Sequence, residues 1–246
     1  MRLLPRNWSK SYDNSLERRA KRSLHYKEMT DFYGQFVKPG DLCFDIGANL
    51  GDRTAVFLDL GARTICVEPQ PNCMKKLRKR YGKDKNVILV EAALGATEGF
   101  GELAICEEEP TISTMSERWK TEGRFAEKHQ WTKTSQVQMT TLDCLISLYG
   151  RPAFCKIDVE GFEVFVLKGL TKPLSVISFE FHRELLDNVR VCIDHLLSIG
   201  PVKFNISFAE SMSFPGQNWV TPDVIYKIFE TSNDAFLWGD IYAKFM

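Results

Sequence analysis

Asp41-Leu42-Cys43-Phe44-Asp45-Ile46-Gly47-Ala48-Asn49-Leu50-Gly51 decides how this chain is read. A short apolar run reaches an acidic residue, breaks into a loop with glycines at 47 and 51, and turns helical near Asp52. Strand, tight turn, helix is the expected order. In an open α/β sheet, the turn at the carboxyl end of the first strand is where a nucleotide-like ligand sits. Gly47 and Gly51 can adopt backbone angles closed to other residues and let main chain approach a ligand. The N–H groups of the new helix point into the same space.

Working outward, Arg53–Leu60 reads as a helix closed by Gly61. Thr64-Ile65-Cys66-Val67 is an unbroken apolar run suited to a strand buried on both faces, and it ends at Glu68-Pro69. Pro71 to Tyr81 predicts a basic helix, and Asn86–Val90 a third strand running into Glu91-Ala92-Ala93-Leu94-Gly95. Alternating strands and helices predict a doubly wound α/β fold with a parallel sheet and right-handed crossovers. Ala153–Ile157 and Val176–Phe179 read as the fourth and fifth core strands, and Ile241–Phe245 as the last strand. Between 107 and 136 the regularity lapses, as expected of a binding or lid insertion. Residues 1–40 read as a basic helical arm preceding a single domain over 41–246, with a helical pattern from about Leu16 to Val37.

Bulk properties narrow the function classes. The 246 residues carry 32 basic and 32 acidic side chains, so nothing global points to nucleic acid as a partner. Seven scattered cysteines without a CxxC pair disfavour zinc and redox motifs and suit buried thiols in a reducing, cytoplasmic setting. No apolar stretch approaches a membrane span, and no signal-peptide core is expected.

Three constellations carry candidate chemistry. The first pairs the opening loop with Glu68, 23 positions after Asp45, near the spacing of a carboxylate that accepts from ribose hydroxyls. G-x-G-x-x-G is missing, and Asp45 would place a carboxylate where a phosphate is repelled; a cationic methionyl group suits it better. The second is Lys156-Ile157-Asp158-Val159-Glu160-Gly161-Phe162-Glu163, whose Asp158 and Glu160 leave the carboxyl end of a strand expected beside the first. Lys156 shares parity with Asp158, which suggests a structural ion pair. The third is Glu180-Phe181-His182, where a histidine at a strand's end can serve as a general base.

These motifs resemble the FkbM-type S-adenosylmethionine-dependent methyltransferases. The resemblance rests on Phe44–Gly51, Val67-Glu68-Pro69-Gln70-Pro71, Ala93-Leu94-Gly95, Thr141-Leu142-Asp143, the Lys156–Glu163 block with Val166-Leu167-Lys168-Gly169, Glu180-Phe181-His182 and Trp238–Lys244. It implies a class I methyltransferase fold, with a mostly parallel seven-stranded sheet whose last strand is antiparallel. It also implies S-adenosyl-L-methionine as cofactor and O-methylation of a hydroxyl on a sugar, glycan or small natural product. On this resemblance Asp45, Gly47, Ala48, Asn49 and Gly51 surround the methionyl part, Glu68 with Pro69 takes the ribose, and Glu91, Ala92 and Ala93 border the adenine. Asp158, Glu160, Glu180 and His182 form the acidic crevice for the acceptor, with Asp158 also bordering the cofactor. His182 is the first candidate base and Asp158 the second, with Glu160 and Glu180 orienting. A divalent metal held by the carboxylates is the open alternative to a base, and no metal ligand set is assigned. An NAD-dependent oxidoreductase and a non-catalytic binding protein of the same fold are the competing function classes.

Overall fold

The structure is a computed structural model and describes residues 23–246. Most of the predicted basic arm therefore lies outside the described residues. Its described end is helix α1 (23–33), whose Met29, Phe32 and Tyr33 are buried. Chain order then runs β1 (Leu42–Ile46), α2 (Asp52–Asp59), β2 (Arg63–Val67), α3 (Pro71–Tyr81), β3 (Val87–Val90), β4 (Ala93–Leu94), β5 (Gly99–Ile105), α4 (Glu117–Glu122) and β6 (Lys133–Thr140). It continues through α5 (Leu142–Tyr149), β7 (Phe154–Ile157), α6 (Glu163–Lys168), β8 (Val176–His182), α7 (Leu186–Ile199), β9 (Val202–Phe208), α8 (Pro222–Thr231) and β10 (Trp238–Phe245).

Seven strands form one sheet in the order β3-β2-β1-β7-β8-β10-β9. All neighbours are parallel except β10, which runs antiparallel to both β8 and β9. The order reverses between β1 and β7, so their carboxyl ends open the crevice expected of a doubly wound sheet. The strands read as apolar runs because both faces are covered. Phe44, Ile46, Ile65, Val67 and Ile157 face the larger core, shared with Leu142 and Leu145 of α5, Val166 and Leu167 of α6, and Ile193 and Leu196 of α7. The opposite parity of the same strands (Cys43, Phe154, Val176) meets α1 and α2 through Tyr33, Val56 and Phe57.

Residues 107–136, expected to be irregular, are mostly organised. They contain a 3-10 turn at Pro110–Ile112, helix α4 and the start of β6. A second, three-stranded sheet β4-β6-β5 ties this segment to the end of β3, an arrangement absent from the sequence reading. Ser116 caps α4 by accepting from the Trp119 N–H, and the Trp119 ring is fully buried. Among the described residues, no helix is long and apolar enough to cross a membrane.

Candidate active site

The loop after β1 is held by its own backbone. Gly47 and Ala48 N–H both donate to the Val67 carbonyl at 3.0 Å, and Gly51 N–H donates to the Ala48 carbonyl at 2.7 Å. Asn49 N–H donates to Glu68 Oε2 at 2.8 Å. These four N–H groups are thus spent on the protein, which is the opposite of a phosphate cradle. The glycines serve the same end. At Gly47 (φ 79°) a Cβ would lie 1.8 Å from the Asp158 carbonyl oxygen, so β7's exit can pass only against glycine. At Gly51 (φ 77°) a Cβ would lie 2.6 Å from the Tyr81 ring. Both glycines admit neighbouring protein; Gly47 also borders the space above the loop, whereas Gly51 does not, which corrects the expectation that Gly51 lets main chain approach a ligand.

Above this loop lies a cavity of about 300 Å³ at the carboxyl ends of β1, β2, β7 and β8. Gly47, Asn49, Glu68, Pro69, Ala92 and Ala93 line one half of it, and Asp158, Glu160 and Glu180 line the other. Segment 107–136 supplies a wall through Thr111, Ser113, Thr114 and Met115. Three hydrogen bonds tie that wall down. Gln70 Nε2 donates to the Pro110 carbonyl at 3.0 Å, Trp131 Nε1 to the Ile112 carbonyl at 2.9 Å, and Thr114 Oγ1 to the Glu160 carbonyl at 2.7 Å.

Glu68 is 2% exposed, and its two oxygens accept from the Asn49 and Gln70 N–H groups at 2.8 Å each. Burial pushes its carboxyl up to about 7, against those two hydrogen bonds. A carboxylate has further lone pairs, so both oxygens keep acceptor capacity toward the cavity.

Asp45 lies off this cavity. Its Oδ2 accepts from Thr54 Oγ1 of α2 at 2.6 Å, and burial raises its carboxyl. With Ala48 it lines a second cleft of about 240 Å³ on the other side of the loop, joined to the first through Gly47, Asn49 and Asp158. Glu91 is displaced further. It is exposed and paired with Arg78 of α3, so the expectation that it borders the ligand is corrected; β3 ends before it and turns it to solvent. Gly51 lines neither space, because its Cα side is filled by Tyr81 and Leu77.

The acidic half is assembled by strand register. Asp45 is opposite Lys156, Lys156 opposite Ser178, and Glu180 opposite Asp240, so one sheet face gathers every one of these groups. Lys156 is 2% exposed, and its Nζ lies 2.7 Å from Asp240 Oδ1 and 3.2 Å from Asp158 Oδ2. The pairing with Asp158 follows the sequence parity. Asp240, the shorter contact, was missed; an acidic residue directly before the apolar Ile241-Tyr242-Ala243 run was its available signal. Burial disfavours the Asp158 charge, but Lys156 and Arg53 outweigh it and hold the carboxyl below the usual range. Glu160 and Glu180 are pushed well above that range, by burial first and then by neighbouring carboxylates. Glu163 organises the turn by accepting from the Val159 and Gly161 N–H groups at 3.1 and 3.2 Å.

His182 stands behind Glu180, facing a separate small void beside Leu185, Val189 and Cys192. Its ring packs on Trp119 with centroids 4.2 Å apart, and burial pushes its pKa down to about 4. The expectation that this imidazole meets the acceptor is therefore corrected. It ends an apolar strand whose last side chain is folded under α4 rather than left in the crevice.

Comparison with known proteins follows the same lines. The family model described as the methyltransferase FkbM domain matches residues 45–229. Hexuronic acid methyltransferase AglP of Haloferax volcanii is 24% identical over 143 residues, covering 56% of this chain and 54% of that protein, so the match spans about half of the relative's length. Among solved structures, a precorrin-6Y C5,15-methyltransferase from Geobacter metallireducens is 14% identical with a TM-score of 0.46, covering 92% of this chain and 87% of that one. Aeropyrum pernix fibrillarin, solved with natively bound S-adenosyl-L-methionine, is 14% identical with a TM-score of 0.42, covering 85% of this chain and 68% of that one. With the motif-bearing strand ends gathered at one crevice and the family match running from Asp45 through α8, the chain belongs to the FkbM methyltransferase domain family.

Proposed function

We propose that the protein uses S-adenosyl-L-methionine to methylate a hydroxyl oxygen on a sugar, glycan or small natural product. One observation carries this reading: the cavity has a buried carboxylate at one end, pinned by the loop, and a carboxylate cluster at the other. Glu68 suits a ribose diol, since its two oxygens are oriented by backbone N–H groups and retain acceptor capacity. Ala92, Ala93, Leu94 and Leu103 supply apolar wall for an adenine. The volume, about 300 Å³, lies within the range of small-molecule sites. Loop N–H groups turned inward argue against a pyrophosphate and hence against the oxidoreductase reading.

S-adenosyl-L-methionine supplies an electrophilic methyl group on a cationic sulfur. The protein's task is to align the acceptor oxygen with that methyl group and exclude water. Asp158, ionised beside Lys156 and lining both clefts, takes the hydroxyl proton as the oxygen–carbon bond forms. Glu160 and Glu180 orient the acceptor by hydrogen bonding from the cavity wall. The hexuronic acid named for the relative supports a sugar-like acceptor. Zero net charge supports a small-molecule partner over nucleic acid, and seven free cysteines support work in a reducing compartment such as the cytoplasm.

Calorimetric titration with S-adenosylmethionine and with NADH tests the cofactor. Binding of S-adenosylmethionine alone is expected; binding of NADH alone, or of neither, overturns the reading. Labelled cofactor offered with sugars, glycans, lipids and peptides then identifies the acceptor.

A further inference from the structure

Behind the acidic half of the cavity, one cluster contains polar atoms that the protein leaves without partners. Glu180 and His182 are 9% and 6% exposed, and Glu180 Oε2 lies 3.0 Å from His182 Nε2. Neither of those atoms, nor His182 Nδ1, makes a hydrogen bond of acceptable geometry among the described residues. Buried polar atoms are almost always satisfied, so an orphaned group asks for a missing partner. Glu160 completes the cluster: one ligand atom from each of the three side chains lies within 4.8 Å of the other two.

A hydrogen bond to its backbone fixes that third ligand in an uncommon conformation. Glu160 has φ 54°, a conformation uncommon for a side chain of its kind, and its carbonyl is anchored by Thr114 Oγ1. The nearby cations are committed elsewhere. Lys156 serves Asp158 and Asp240, and Arg124 serves Glu184 and the carbonyls of Phe236 and Leu237. Among the described residues, Lys156 acts on Glu160 and Glu180 through space, and neither carboxyl has an ion pair with a lysine or arginine. Metal–ligand bonds of about 2.0–2.2 Å place adjacent ligand atoms roughly 3.0–3.6 Å apart, and the Glu180–His182 separation of 3.0 Å already meets this.

We infer that Glu160, Glu180 and His182 form a binding site for a first-row divalent cation of the manganese or zinc type. An imidazole beside two carboxylates suits those ions better than magnesium or calcium, which prefer oxygen alone. Glu160 and Glu180 line the cavity, so coordination positions left free by the three side chains are available to an acceptor oxygen. A cation there lowers the pKa of a bound hydroxyl and eases its proton's passage to Asp158. That role rests on the proposed methyl transfer, whereas binding of the ion does not.

The test uses the full chain, stripped with a chelator and dialysed, then titrated with Mn²⁺. Binding of one ion per chain is expected, read by loss of the free-ion electron paramagnetic resonance signal, with displacement by Zn²⁺. At saturation Tm is expected to rise by roughly 5 °C. Glu180→Gln and Glu160→Gln should each weaken Mn²⁺ at least about tenfold and abolish the Tm rise. The metal-free variants should melt no lower than the parent, because each loses one crowded carboxylate; circular dichroism checks that they are folded. Absence of Mn²⁺ and Zn²⁺ binding at millimolar concentration overturns the site, and so does undiminished binding by both variants. A proton shared between Glu180 and His182 would then account for their contact. S-adenosylmethionine calorimetry on the same samples reports separately on the cofactor.

Discussion

The two halves of the cavity satisfy their charges in different ways. On the β1–β2 side, Glu68 and, just off the cavity, Asp45 are buried and each is held by partners from its own neighbourhood: backbone N–H groups for Glu68, the Thr54 hydroxyl for Asp45. On the β7–β8 side, Asp158 has Lys156, while Glu180 and His182 keep unpartnered atoms close to Glu160. The first half is finished before anything binds. The second half is left incomplete, and its strain is concentrated at Glu160, where the backbone is left-handed. A prepared half suits a constant ligand such as the cofactor. An electrostatically unresolved half suits the place where charge changes during reaction, because desolvated groups respond most strongly there.

The largest effect should fall on the reactive half. Asp158→Asn is expected to reduce methyl transfer by about 10²–10⁴-fold, measured with labelled S-adenosylmethionine once an acceptor is found. Near-parental turnover would show that proton removal does not pass through this residue. Cofactor affinity should change far less, since Glu68 belongs to the other half.

His182 offers a pH-dependent comparison in metal-free protein. The unfolded imidazole protonates near 6.5, whereas the folded one waits until about 4. Stability from the buried neutral ring is thus fully present above 6.5 and is lost as pH falls toward 4, by about 3 kcal/mol in total. His182→Gln lacks this dependence, so its deficit relative to the parent should shrink by about that amount between pH 7 and pH 4. Urea unfolding at both pH values measures it; a constant deficit would mean that the ring titrates as if exposed.

On the prepared half, Glu68→Ala should weaken S-adenosylmethionine by roughly 10–100-fold, through loss of charge-assisted hydrogen bonds to the ribose. Calorimetry giving the parental affinity would remove the ribose assignment. A smaller effect is expected from Thr54→Val, which leaves the buried Asp45 carboxyl without its hydroxyl partner and should cost about 1–3 kcal/mol of stability. A neutral result in chemical denaturation would mean that Asp45 is satisfied from the cleft instead.

Much of the architecture was readable from local pattern. Thr64–Val67 and, apart from the buried Lys156, Ala153–Ile157 show no polar alternation because helices cover both faces of their strands, and the adjacency of β1 and β7 follows from the doubly wound order. Segment 107–136 was harder. Its polar composition hides a helix whose stability comes from one buried tryptophan and from contacts distant in sequence, such as Gln70 to Pro110 and Thr114 to Glu160. Glu91 misled for a similar reason: adjacency to Ala92 and Ala93 says nothing about direction, and Arg78 is close only once α3 has packed.

By itself, the sequence determined the strand–loop–helix unit, the carboxylates at the strand ends and the family to which they belong, because these depend on spacing and side-chain type. Only the tertiary structure decided what those residues face. Register across β1, β7, β8 and β10 brought Asp240 to Lys156, chain packing closed both loop glycines against protein, and burial under Trp119 withdrew His182 from the cavity. Distances between strands and the loss of water around a group are properties of the assembled sheet, and they set whether a histidine meets an acceptor or stands behind a pair of glutamates.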